Sequence, residues 1–225
     1  MSSIDQKLGF WSATLAAITF IIFTVCFVVI AVAAPPFVWT GLADYLELAT
    51  STNQFWQELA RAMMLLFSPL YIVMINALYE RTAPPKKGLA RLALLFALGF
   101  AILTGANYFI QLSTVRISLA HGETGDLLQI VQANPYGAIA ALNLLGWSLF
   151  LGLSSLFAAG LFRGDRLSRW LRALFLINGI SCLLGGAGYL LDHFWLLFLS
   201  LNLGMGGAMT ACTILLARYF RRHDS

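Results

Sequence analysis

Residues 89–116, LARLALLFALGFAILTGANYFIQLSTVR, decide which kind of fold this chain adopts. From Leu89 onward the stretch is almost continuously apolar, until Asn107, Tyr108 and Gln111 appear within about one helical turn, and it stops at Arg116. A helix needs roughly 20 mostly apolar residues to cross the hydrocarbon core of a bilayer. The stretch therefore predicts a membrane-spanning helix whose polar groups are concentrated at one end.

The overall composition supports the same solvent for the whole chain. The 225 residues are 60% hydrophobic and 11% charged, and the mean hydropathy is +0.80. Soluble domains carry roughly 25% charged residues, so this chain has too few charges to cover a soluble surface. We expect an all-α polytopic membrane protein that forms a single domain over residues 1–225.

Six segments are long and apolar enough to cross a bilayer. They lie at about 10–34, 57–79, 89–112, 136–161, 170–191 and 195–217. The first segment ends in AVAAPP, which resembles a signal-peptide cleavage site. Its apolar run is longer than the roughly 7–15 residues typical of a signal peptide, so we expect an uncleaved helix.

The basic residues predict the orientation of these six helices. Twelve of the 14 Lys and Arg residues fall on one side: Lys7, Arg81, Lys86, Lys87, Arg91, Arg163, Arg166, Arg169, Arg172, Arg218, Arg221 and Arg222. Only Arg61 and Arg116 fall on the other side. The positive-inside rule then places both termini in the cytoplasm. We expect the protein in a bacterial inner (plasma) membrane.

Several function classes lack their sequence signals. The pI of 9.1 comes from charges spread over helix ends and loops, so we expect no nucleic-acid partner. Cys26, Cys182 and Cys212 lie within the predicted helices without a CxxC partner, which favours buried thiols over disulfides.

The same holds for catalytic and metal sites. HExxH, GxSxG and phosphate-loop motifs are absent from the sequence. His121, Glu123 and Asp126 are close together, but a solvated loop is the simpler interpretation. We predict no catalytic residue, metal ligand or cofactor.

Two local patterns describe how the helices are arranged. LADYLEL, beginning at Leu42, predicts a short helix on the membrane surface with aromatic side chains at headgroup depth. Small residues four apart, as at Ser181 and Gly185 and at Gly204 and Ala208, predict a close approach of the fifth and sixth helices.

Polar residues recur at one level of the predicted bundle, in its outer half. The candidate ligand-binding residues are Asn107, Gln111, Arg116, Asn143, Trp147, Tyr189, Asp192 and Asn202. Polar groups at membrane depth usually face the protein interior, so the set predicts an outward-facing pocket. The alternative is that the amides tie helices together, at about 0.6 kcal/mol for each hydrogen bond.

Arg116 is the candidate anchor of that pocket. We predict that its side chain turns inward, toward Asp192 or an anionic group of a ligand. A guanidinium binds carboxylate or phosphate in a two-pronged geometry that Lys does not reproduce, so Arg116→Lys is expected to impair function nearly as much as Arg116→Ala.

These patterns favour a non-enzymatic protein that binds a small molecule or lipid, as a transport subunit or a sensor. One alternative is a membrane-embedded enzyme that uses His193, Asp192 and Arg116 on a lipid headgroup at the outer face. Another is a structural subunit of a membrane complex. The expected partners are the lipid bilayer, the ligand, and a second copy of the chain or a partner membrane subunit.

Overall fold

The computed structural model describes residues 3–33 and 37–222, and these residues form α-helices, π-helical segments, short 3₁₀ turns and loops without a strand. Six helices in this part of the chain are long and apolar enough to span a membrane: Ile4–Ala33, Phe55–Arg81, Pro84–His121, Ala138–Ala159, Arg166–Leu190 and Phe194–Arg221. The six predicted helices are confirmed as elements. The third differs most, because it continues well past residue 112 to His121. Residue 34, the predicted end of the first, lies outside the described residues.

The long helices are built from the following elements. They are α1 (Ser3–Ala33), α2 (Leu42–Ser51), α3 (Phe55–Arg81), α4 (Lys87–Ile110), α5 (Arg116–His121), α6 (Ala138–Leu145), α7 (Leu151–Ala159), α8 (Arg166–Leu190), α9 (Phe194–Phe198) and α10 (Gly206–Arg221). Three π-helical segments join α4 to α5, α6 to α7 and α9 to α10, at Gln111–Val115, Gly146–Phe150 and Leu199–Met205.

One end of the bundle, the basic end, collects the turns after α3 and α7 and the last residues of α10. Lys86 Nζ donates a hydrogen bond to the Leu161 carbonyl at 2.8 Å, and Arg81 Nη1 donates to the Tyr219 carbonyl at 3.2 Å. Asp165 caps α8 by accepting a hydrogen bond from the Ser168 N–H at 3.0 Å. Hydrogen bonding from the Ser168 side chain, and then from the Ser168 N–H, stabilises the carboxylate and holds the pKa of Asp165 below its usual value.

The opposite end, the distal end, is closed by α2 and the segment 122–137. The predicted short helix is present as α2, but Tyr45 is buried against Val115, Leu127 and Val131. The ring is therefore covered by protein, and its depth in the membrane stays a prediction. An apolar cluster between α2 and residues 127–131 covers the ring, so α2 is packed on the protein.

Glycines set the spacing between α8 and the last long helix, as the small-residue pattern predicted. A Cβ atom at Gly188 would lie 2.5 Å from the backbone nitrogen of Leu197, and one at Gly185 would lie 2.6 Å from the Leu201 side chain. Because only a residue without a side chain fits there, the two helices approach to backbone contact.

Candidate functional site

A cavity of about 460 Å³ lies in the side of the bundle, between α1 and the last long helix. Its walls are mostly apolar and come from Phe20, Phe23, Thr24, Phe27 and Val28 on one side and Phe198, Leu201, Asn202, Leu203, Met205, Gly206, Gly207 and Thr210 on the other. Tyr108, Asn143, Leu144 and Trp147 complete the lining. The rim residues Val28 and Leu203 are exposed, so the cavity opens on the flank of the bundle.

The inner wall is a rigid group of aromatic rings. Trp147 stacks parallel to Phe67, with ring centroids 6.2 Å apart, and meets Phe100 edge-on at 4.9 Å. Phe20 of α1 packs edge-on against both Phe67 and Trp147. Rings in such arrangements attract one another beyond the area they bury. The cavity is therefore bounded by side chains that hold one another in place.

A few polar groups interrupt the apolar lining. Trp147 Nε1 donates a hydrogen bond to the Tyr108 hydroxyl at 3.2 Å. The side chains of Asn143 and Gln132 lie within interaction range of the same hydroxyl, and the charge of Arg61 acts on it. Tyr108 is thus the centre of a polar cluster that borders the apolar cavity.

Asn143 stands out in this cluster. Its side chain is only 7% exposed, and its Oδ1 accepts no hydrogen bond from any described residue. A buried carbonyl oxygen without a partner costs about 1–3 kcal/mol. Since Asn143 also lines the cavity, a molecule inside the cavity is in a position to supply the missing donor.

Two of the three π-helical segments border the cavity. Trp147 lies in Gly146–Phe150, and Asn202 lies in Leu199–Met205. A π turn contains one residue more than an α turn, is rare, and occurs frequently at functional sites. Here the extra residues rotate the side chains that follow them, which sets the faces that Trp147 and Asn202 present.

Three of the eight candidate ligand-binding residues meet at this cavity: Asn143, Trp147 and Asn202. Asn202 is exposed at the rim, and its Nδ2 donates to the Phe198 carbonyl at 2.9 Å. These three positions are the part of the predicted pocket that the structure brings together.

The other amides and the tyrosine of the set lie elsewhere. Gln111 Nε2 donates to the Ile130 carbonyl at 2.7 Å, and its Oε1 accepts from the Gln132 N–H at 3.1 Å. Tyr189 donates to the Pro135 carbonyl at 2.8 Å. Both residues therefore hold the distal segment on the bundle, which is the tying role named as the alternative. Asn107 is fully buried, and neither amide atom has a partner within residues 3–33 and 37–222.

The predicted pairing of Arg116 with Asp192 is wrong in this structure. Arg116 is exposed, and its Nε donates to the Leu112 carbonyl on its own helix at 2.9 Å. Asp192 is exposed in the turn after α8, with a positive φ of 52°. The helix does not end near Gln111, so Arg116 lies on a continuing helix surface rather than at a rim. Ligand binding by either residue stays a prediction.

Tyr108, Arg61 and the aromatic wall of α1 are missing from the predicted site. Phe20, Phe23 and Phe27 follow one another at spacings of three and four residues, which is the signature of one helix face. That stripe was the available signal for the cavity wall. Arg61 is half-buried while Arg116 is exposed, but a charge count on loops does not distinguish them.

The structure gives His193 a local role. Its Nδ1 accepts a hydrogen bond from the Leu196 N–H at 3.1 Å and so caps α9. In the part of the chain that the structure describes, no three His, Cys, Asp or Glu side chains are grouped so that they could hold a metal ion. Cys26, Cys182 and Cys212 are free thiols and buried.

Comparisons with known proteins add no relative: no family model, no curated protein and no solved structure matches this chain.

Proposed function

We propose that this chain is an integral membrane protein that binds a mainly apolar molecule, with one hydrogen-bonding group, in the cavity between α1 and the last long helix. The basic end faces the cytoplasm, together with both termini, in a bacterial inner membrane. The bound molecule is a lipid or a lipid-like small molecule, and the protein acts as a transport subunit or a sensor for it.

The outer surface of the bundle supports membrane insertion. Large apolar side chains are exposed along the whole of α1, at Trp11, Leu15, Ile18, Ile21, Val25 and Val28. In water such a continuous apolar face is unfavourable, whereas in a bilayer it meets hydrocarbon. Clustering of the basic residues at one end fits the positive-inside rule.

The observation that carries the binding proposal is the unpartnered Oδ1 of Asn143 in an apolar cavity of about 460 Å³. This volume is within the range of ordinary ligand pockets, which combine apolar walls with a few placed polar groups. Among the described residues that line the cavity, none is charged. The ligand chemistry is therefore neutral at this position, with a hydroxyl or N–H that donates to Asn143 and an apolar body that packs against Phe23, Phe27 and Leu201.

The experiment introduces a bulky side chain at an exposed residue of the cavity wall. A Cβ atom at Gly207 meets nothing within 4 Å, and Gly207 lines the cavity. Gly207→Trp introduces a side chain with about 150–250 Å² of surface to bury, whereas the control Gly207→Ala leaves the cavity open. Each protein is extracted with its surrounding lipid in polymer-bounded discs, transferred to detergent and analysed by mass spectrometry for molecules that stay bound.

We expect wild type and Gly207→Ala to retain the same molecule at similar stoichiometry, and Gly207→Trp to lose it. Circular dichroism checks that all three are equally helical. Retention of the molecule by Gly207→Trp at the wild-type level would show that binding does not take place in this cavity.

A further inference from the structure

A second, smaller cavity of about 170 Å³ lies at the basic end. It is lined by Leu78, Arg81, Thr82, Ala83, Lys86, Leu161, Phe162 and Tyr219. These residues belong to the end of α3, the turn that follows it, the turn after α7, and α10. The two cavities share no lining residue, so this one is a separate feature of the fold.

Two basic side chains are built into its wall. Arg81 is held by its hydrogen bond to the Tyr219 carbonyl, and its guanidinium lies 4.5 Å from the centre of the Tyr219 ring. Lys86 is half-buried and is held by the bond from its ammonium to the Leu161 carbonyl at 2.8 Å. An ammonium carries three N–H donors, so this bond positions Lys86 and leaves donors to serve a ligand.

Within residues 3–33 and 37–222, the charges that act on Lys86 have the same sign. The charges that act on it are those of Arg163 and Arg172, both exposed at the same end. The Asp165 carboxylate caps α8 and interacts electrostatically with Arg222 and with Tyr219, which lines the cavity. Cations crowded at one position repel one another, and a bound anion relieves that repulsion.

We propose that this cavity binds a phosphate group, with Lys86 and Arg81 as its direct ligands and Arg163 and Arg172 attracting it to the mouth. Arg and Lys together give a planar two-pronged donor and a compact point charge, both of which suit phosphate oxygens. Basic pockets between helices at the cytoplasmic interface bind anionic lipid headgroups. Binding of a lipid phosphate requires the membrane insertion proposed above, whereas binding of a soluble phosphate does not.

The test measures the midpoint of thermal unfolding for delipidated protein in a neutral detergent. Phosphatidylglycerol, phosphatidylcholine and inorganic phosphate are titrated separately into wild type, Lys86→Gln and Arg221→Gln. Gln at position 86 removes the charge and keeps an amide N–H donor one bond nearer to the backbone. Arg221 is an exposed cation at the same end that does not line the cavity, which makes its substitution a control for net charge.

We expect phosphatidylglycerol to stabilise wild type and Arg221→Gln at lower concentration than phosphatidylcholine. In Lys86→Gln this preference falls by more than about fivefold, which is the nonspecific effect of one basic side chain near anionic lipid and the most that Arg221→Gln loses. Stabilisation by inorganic phosphate that also depends on Lys86 identifies a soluble phosphate as the source, and its absence identifies the lipid. Equal responses of Lys86→Gln and Arg221→Gln in all three titrations would overturn the proposal. These outcomes do not depend on Gly207, so this proposal and the proposed function can fail independently of each other.

Discussion

Replacing Asn143 with Leu separates a ligand-binding amide from one that ties helices together. In the empty protein Oδ1 is buried without a partner, which costs about 1–3 kcal/mol. Leu removes that cost and also removes the contact of the amide with Tyr108, worth about 0.6 kcal/mol for an average side-chain hydrogen bond between membrane helices. The difference predicts that delipidated Asn143→Leu is more stable than wild type by about 0.5–2 kcal/mol.

Asn134→Leu is the matched control. Asn134 is also nearly fully buried, at 3% exposed, but both of its amide atoms are used. Its Nδ2 donates to the Leu128 carbonyl at 2.8 Å, and its Oδ1 accepts from the Tyr136 N–H at 3.0 Å. The same substitution therefore leaves two backbone groups without partners. We expect it to destabilise the protein by about 1–3 kcal/mol and to leave the bound molecule unchanged.

Ligand reverses the order of wild type and Asn143→Leu. A molecule that binds only the folded state adds about 2.7 kcal/mol when its free concentration is 100 times its Kd. Loaded wild type then becomes more stable than the variant, which has lost the acceptor. The assay is the free energy of unfolding in mixed micelles with increasing sodium dodecyl sulfate, for loaded and delipidated protein. Destabilisation of delipidated Asn143→Leu to the level of Asn134→Leu would refute the reasoning, because it would show that Asn143 is already paired inside the protein.

Three shorter predictions test the helix packing, the distal surface and the orientation. Gly188→Ala places a Cβ atom against the backbone of α9 and is expected to lower the unfolding free energy by about 1–3 kcal/mol. Gly105→Ala, where the nearest atom to the added Cβ is 3.9 Å away, is expected to raise it by up to about 1 kcal/mol through helix propensity. Equal effects of the two substitutions would contradict the close approach. Arg116→Lys and Arg116→Ala are both expected to change the unfolding free energy by less than about 0.5 kcal/mol and to keep the wild-type ligand content, because the side chain is exposed. Loss of ligand in the alanine variant alone would contradict this and show that Arg116 takes part in binding. Ser51→Cys should react with an impermeant maleimide from outside intact cells and Asp165→Cys only after permeabilisation, over a low background from the three buried native thiols; the opposite pattern would invert the proposed orientation.

The helices and the level of the polar groups were readable from the sequence because both depend on length and composition. Apolar runs of about 20 residues define the spans, and the order of helices fixes which residues lie at the same height. Asn143, Trp147 and Asn202 do line one cavity. Depth is a one-dimensional property, and a sequence records it directly.

The direction in which each side chain points was not readable in the same way. Successive α-helical residues are rotated by about 100°, so one inserted residue in a π turn redirects every side chain that follows. The sequence carries no clear mark of the π turns at Gln111–Val115 and Leu199–Met205. Gln111 is the first residue of its π turn, and its amide contacts the distal segment, whereas Asn202 lies inside the later π turn and at the rim of the cavity. The third helix also continues to His121, so Arg116 lies on the helix and away from the pocket. The sequence did not indicate this continuation, because a polar helix end has the composition of a loop.

The chemistry of the cavity narrows what is able to occupy it. In a bilayer, any apolar cavity that opens on the flank of a helix bundle is filled by lipid tails, because empty space forfeits dispersion contacts. A hydrocarbon tail packs well against Phe23, Phe27 and Leu201, but it offers no donor to the Oδ1 of Asn143. A molecule that brings both a tail and a hydroxyl or N–H gains the packing and removes the cost of the unpaired oxygen. Under the proposed function, that difference, about 1–3 kcal/mol or roughly five- to 150-fold in affinity, would let this cavity select one molecule from the surrounding lipid.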